Sequence, residues 1–125
     1  MAKQVHTDVQ DNGLSAIKSG ALSVLILNTY TAGDIYATVV ANALAVAAVD
    51  TTDFVIETVG GVRQVRFTGA TGTADVASSG TPDLHIAFTN GVDKVLWVTK
   101  ATNTTVALDK IVHFPTLAYA SPQPV

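Results

Sequence analysis

The chain has no cysteine in its 125 residues, so disulfide frameworks, thiolate metal sites, iron–sulfur clusters and cysteine nucleophiles are excluded. Charge is sparse as well. Only 14% of residues are Asp, Glu, Lys or Arg against 48% apolar, and mean hydropathy is +0.37. That balance excludes a disordered chain, which needs low hydrophobicity and high net charge. Seven basic residues against ten acidic ones leave a net charge of −3 and a pI near 5.3. The basic residues are scattered, which argues against a nucleic-acid binder, because phosphate neutralisation needs clustered Lys and Arg. The opening Met-Ala-Lys-Gln-Val-His-Thr-Asp lacks the apolar core of a secretory signal and points to synthesis and folding in the cytoplasm. The longest apolar stretch, residues 35–49, is broken by Thr38 and Asn42 and falls short of the roughly 20 residues of a membrane span.

What is present is Val and Thr, in short segments separated by Gly, Asn, Asp and Pro. This is the pattern of a mostly antiparallel β fold. The length suits one domain, and the expected architecture is an all-β antiparallel sandwich or small barrel over residues 14–114, with at most one short helix and extended terminal arms. Gly60-Gly61 supplies φ > 0 at both turn positions of a hairpin between residues 54–59 and 62–67. Counting outward pairs Val59 with Val62, Ile56 with Val65 and Phe54 with Phe67. Glu57 then faces Gln64 on the other side, with Arg66 on the diagonal. A second hairpin, 84–89 with 94–99, turns at Asn90-Gly91. Its return strand is apolar at Val95, Leu96, Trp97 and Val98 alike, which predicts cover on both faces.

Further strands are expected at 23–28, 43–49 and 110–114, with weaker ones at 5–9, 73–77 and 105–108. The short helix is expected to open on Asp34 as N-cap and to run through Tyr36, Val39, Val40 and Ala43. Residues 69–73 and 78–82 read as loops. Residues 1–13 are polar and predict an N-terminal arm. Residues 115–125 hold three of the four prolines and predict an extended C-terminal arm, because each Pro removes a ladder donor.

Groups able to do chemistry are few. Asp83 and His85 fall two apart on a predicted strand and share a face, as a metal pair or an oriented base requires, but no third ligand is nearby. Asp50 and Asp53 flank Thr51-Thr52 and fit either a calcium loop or an ordinary turn, and the turn is the simpler reading. His6, His85 and His113 are isolated, and Glu57 is the sole Glu. There is no Gly-x-Ser-x-Gly elbow, Walker A loop or dinucleotide fingerprint. No catalytic residue, cofactor or metal is expected, and the chain reads as a non-enzyme. Trp97, Tyr30, Tyr36 and Tyr119 suit either a wet aromatic platform or core edges. One sequon, Asn103-Thr104-Thr105, is expected by chance in a Thr-rich chain.

Several stretches carry a resemblance. They are Asn-Gly-Leu-Ser-Ala-Ile-Lys at 12–18, Leu-Ile-Leu-Asn at 25–28, Tyr-Thr-Ala-Gly-Asp at 30–34, Thr-Pro-Asp-Leu-His-Ile-Ala-Phe-Thr-Asn-Gly at 81–91, Val-Leu-Trp-Val-Thr at 95–99 and Phe-Pro-x-Leu at 114–117. Taken in order they resemble small structural proteins of tailed bacteriophages, of the head decoration or cement type. The resemblance implies a virion protein that binds the outside of a capsid and stabilises it, with the major capsid protein as partner. It also implies self-association, as trimers at symmetry axes. Contacts with neighbours are then expected from Lys3 and Val5 near the start and from Leu117, Tyr119, Pro122 and Pro124 near the end. The alternatives are a tail or fibre component that binds a host surface, and a small metal-dependent hydrolase built on Asp83 and His85.

Overall fold

A computed structural model describes residues 7–79, 81–102 and 104–121. The first predicted hairpin forms as β3 (Phe54–Val59) and β4 (Val62–Phe67), with Val59 opposite Val62, Ile56 opposite Val65, and Phe54 opposite Phe67. Gly60 and Gly61 take φ of 57° and 79°, the left-handed pair that a tight turn demands. The second hairpin is β6 (His85–Thr89) with β7 (Val95–Lys100). Its turn is built by Asn90, whose Oδ1 accepts from the backbone N–H groups of Val92, Asp93 and Lys94, each at 2.9 Å.

β1 (Ser23–Leu27) lies between β2 (Ala43–Ala48) and β6, giving a four-stranded antiparallel sheet in the order β2-β1-β6-β7. From Val24 to Leu27 β1 is apolar without interruption because both its faces are covered. Val24 and Ile26 enter the main core, while Leu25 and Leu27 join Val39 and Ala87 in a smaller cluster. The same division explains β7. A register shift between Phe88 and Thr89 leaves Leu96 as an extra residue, so Leu96 and Trp97 pack on the main core and Val95 and Val98 on the smaller one.

The second sheet, β3-β4-β9, takes its third strand from Leu117–Ser121, and β5 (Ala70–Thr73) pairs with β8 (Ile111–Phe114). No sheet closes into a barrel. Of the two expected forms the structure takes the open, face-to-face one. Phe54 and Phe67 from the second sheet meet Phe88 from the first at ring-centroid distances of 5.8 and 5.0 Å, both edge-on. All three rings are fully buried, and their quadrupoles favour this geometry over a face-to-face sandwich.

Several expectations are corrected. Residues 69–73 are not a loop. β5 runs through them, and Ala74 continues as a bridge to Ala45 of β2. Gly72 makes this approach feasible, since a methyl group there would sit 3.1 Å from the Val46 carbonyl oxygen. Residues 105–108 form no strand. Val106 instead plugs the core, with its N–H donating to Ser78 Oγ and its carbonyl accepting from the Ser78 N–H.

The expected short helix is α2 (Tyr36–Ala41), but its N-cap is Ile35. The Asp34 carboxylate closes the preceding turn by accepting from Thr31 N–H. A longer helix, α1 (Thr7–Gly20), replaces, from residue 7 onward, both the polar arm expected at 1–13 and the strand expected at 5–9, whose earlier residues lie outside the described ones. Among its side chains from residue 11 onward, a narrow stripe, Leu14 and Ile17 followed by Ala21 just past the helix, reaches the core. Charged contacts hold the rest: the Arg63 guanidinium donates to both Asp11 carboxylate oxygens at 2.6 and 2.9 Å, and Lys18 Nζ donates to Phe54 O at 2.7 Å. No helix among the described residues is long and apolar enough to cross a membrane.

Two outcomes are expected. Phe88→Ala should lower unfolding free energy by about 3–5 kcal/mol, whereas Ile111→Ala, at a side chain 65% exposed, should stay within about 0.5 kcal/mol; urea unfolding measures both. The second concerns acid. Arg63 holds the Asp11 carboxyl below its usual range, and Arg66 with Gln64 does the same for Glu57. A depressed carboxyl stabilises the fold fully above the unfolded range near pH 4 and loses that contribution as pH falls through the folded value. The urea midpoint should therefore be flat from pH 8 to 5 and fall below pH 4, less steeply in Asp11→Asn.

Candidate contact surface

Pro115 follows β8 and ends its ladder, after which the chain crosses to the second sheet as β9. Residues 117–121 contain no proline, so every residue of β9 keeps its ladder donor and the strand pairs along β4 from Leu117↔Phe67 to Arg63↔Ser121. The expected C-terminal arm is thus extended, but over these residues it belongs to the domain's own sheet. Leu117 and Tyr119 point with Phe67 and Val65 toward the core, while Ala118 and Ala120 share the outer face with Arg66 and Gln64. Leu117 is half-buried against the main core. Tyr119 remains 45% exposed.

The Tyr119 ring meets Trp97 edge-on at 5.8 Å, and Trp97 stacks on Phe88 at 4.8 Å with 11° between planes. A continuous aromatic path therefore runs from the buried phenylalanines to the surface at β9. Among the described residues β7 pairs only with β6, and β9 only with β4. Trp97 and Tyr119 consequently sit on the strands at which the two ladders end among the described residues, with α1 packed against both strands and neither edge hydrogen-bonded to a further strand. Such an edge is a template for an added strand.

The four aromatic residues considered together in the sequence do not form one platform. Tyr30 lies against the His85 ring at 5.6 Å and packs on the smaller cluster, and Tyr36 is in α2. The outer face of the second sheet is self-satisfied, because the Glu57 carboxylate accepts from Gln64 Nε2 at 2.9 Å and from Arg66 Nε at 3.0 Å.

His85 and Asp83 are placed close together but face other partners. His85 Nδ1–H donates to the Asp83 carbonyl oxygen at 2.8 Å, and the Asp83 carboxylate accepts from Lys100 Nζ at 3.1 Å. Asp50 and Asp53 form a reciprocal turn, with Asp50 accepting from Thr52 N–H and Asp53 from Asp50 N–H. Thr52 holds the Asp50 carboxyl below its usual range. Among the described residues no three His, Asp or Glu side chains gather as metal ligands. His113 alternates to an exposed position on β8, as the pattern of that strand requires. Lys3, Val5, His6, Asn103 of the sequon, Pro122 and Pro124 lie outside the described residues. The pairing of β9 escaped the sequence reading although Leu117-x-Tyr119 with Ala118 and Ala120 already shows the two-residue period of a strand.

Comparison with protein-family models, with curated proteins and with solved structures returns no match.

Replacing Tyr119 by Ala should cost about 1 kcal/mol of stability from the lost ring pair. Because Trp97 is the only Trp, its emission should shift toward that of a more solvated indole. An unchanged spectrum would show that the two rings do not pack in solution.

Proposed function

We propose that this chain is a virion structural protein that binds the outside of a phage capsid and stabilises it. The major capsid protein is its partner, and copies of the chain associate with one another, as trimers. It is made in the host cytoplasm and resides on the virion. The resemblance in motif order across most of the chain supports this reading. The observation that carries it structurally is the open edge of β9 beside the exposed Tyr119. An edge strand with an aromatic anchor accepts an extended segment of a neighbour through main-chain hydrogen bonds, with a side chain to set register. Repeated over a shell, modest contacts of this kind give tight collective attachment. A cysteine-free domain is also insensitive to the redox change between cytoplasm and exterior.

The test is to locate the chain on purified particles of the phage that encodes it, using gold-labelled antibody against the folded domain and electron microscopy. Label spread over heads is the expected result, with lower occupancy for Tyr119→Ala particles. Label confined to tails would move the domain to the tail or fibre reading, with the Trp97–Tyr119 pair as its receptor surface. Unlabelled particles, with labelled free protein as control, would remove the virion reading.

A further inference from the structure

A cleft of about 480 Å³ opens between the connector residues 101–102 and 104–110, β8 and the start of β9. Its floor is aliphatic: Ile26, Ile86 and Val106 are buried there, and Val112 and Leu117 flank them. The connector that forms one wall is pinned at several points. Ala101 N–H donates to Leu84 O at 2.9 Å, Val106 exchanges hydrogen bonds with Ser78, and Ala74 N–H donates to Lys110 O at 2.9 Å. Asp109, in the left-handed region at φ 65°, turns the chain into Lys110. The cleft is therefore preformed, with a volume in the range of small-molecule sites.

The charged side chains of the rim are both lysines. Lys100 and Lys110 line it beside His113 and no Asp or Glu does, in a chain whose acidic residues outnumber the basic ones ten to seven. Lys100 is already paired with Asp83. Lys110 has no ion-pair partner among the described residues and is the cation left for a ligand. Thr102, Thr104 and Thr105 line the cleft as well and bring hydrogen-bonding hydroxyl residues to it. No Phe, Tyr or Trp lines the cleft, so a nucleobase or sugar ring has no face to stack on. A single free cation over an aliphatic floor matches a monoanion with an alkyl body.

We propose that this cleft binds an aliphatic carboxylate of on the order of ten non-hydrogen atoms, its carboxylate at Lys110 and its chain over Ile26, Ile86 and Val106. This site meets β9 at Leu117 but not at Tyr119, and it stands whether or not the chain decorates a capsid. Contacts of that size predict a Kd on the order of 0.1–1 mM.

The experiment is amide-resolved NMR on the full 15N-labelled chain, titrated with octanoate, 1-octanol and octylamine. Octanoate should give saturable shifts at the amides of residues 104–107 and 111–113, with octylamine at least about tenfold weaker, as expected when the cationic rim repels it. Lys110→Gln should weaken octanoate about fivefold to tenfold while keeping a native-like spectrum, and Lys94→Gln, at a turn lysine outside the cleft, should leave it unchanged. Shifts that never saturate or that spread over the surface would overturn the proposal. So would octylamine or octanol binding as well as octanoate, or a Lys110→Gln variant with wild-type affinity.

Discussion

The two sheets share a core because Phe88 reaches across from the first to pack edge-on against the touching pair Phe54 and Phe67 of the second, a three-ring wedge at the centre of the fold. In a chain with only 6% aromatic residues there is no second cluster of rings to do this. The rest of the architecture follows from that wedge. It fixes the spacing into which Leu14 and Ile17 of α1 insert, and it provides the surface on which Trp97 stacks and against which Tyr119 is positioned in turn. The exposed end of the aromatic path is therefore packed against its buried end through Trp97, a contact that limits the side-chain entropy Tyr119 has left to lose on binding.

The few charged side chains act mainly on geometry. The Arg63–Asp11 fork and the Lys18 bond to Phe54 O join a helix with a narrow apolar stripe to a sheet. Glu57 gathers Gln64 and Arg66 on the outer face of that sheet. Lys100 is drawn to Asp83. Exposed pairs of this kind contribute little free energy. Their consequence is orientation: with its neighbours engaged elsewhere, Lys110 is left as the cation at a cleft that no carboxylate lines.

The β3–β4 hairpin was legible in the sequence because a Gly-Gly turn and a two-residue apolar period specify the same register, and one slip would have exposed Phe54 and Phe67. β1, β2, β6, β7 and β8 could be located for the same reason, to within a residue or two. α1 was hidden because its pattern is weak, with Gly13 inside it and Asp11 answered by an arginine 52 residues away. β5 depends on a missing Cβ at Gly72 beside a carbonyl of another strand, which no local pattern records. At the candidate surface, Leu117 and Tyr119 stand out in the sequence, but the prolines on both sides mark a stiff, extended chain and carry no trace of the partner strand β4. The cleft was invisible for a plainer reason: its wall is an aperiodic connector shaped by one buried valine and one serine.

β1 sits in the middle of its sheet, with β2 on one side and β6 on the other. The first neighbour follows closely along the chain, but the second pairs Leu27 with His85 and Ser23 with Thr89, some sixty residues later. At ribosomal speed that interval is roughly 3–12 s. Throughout it the run Ser-Val-Leu-Ile-Leu presents a bare hydrogen-bonding edge and an uncovered apolar face, the combination that other nascent chains join most readily. Recovery of native protein should consequently be governed by synthesis rate and chaperone supply during those seconds, more than by the stability of the finished fold.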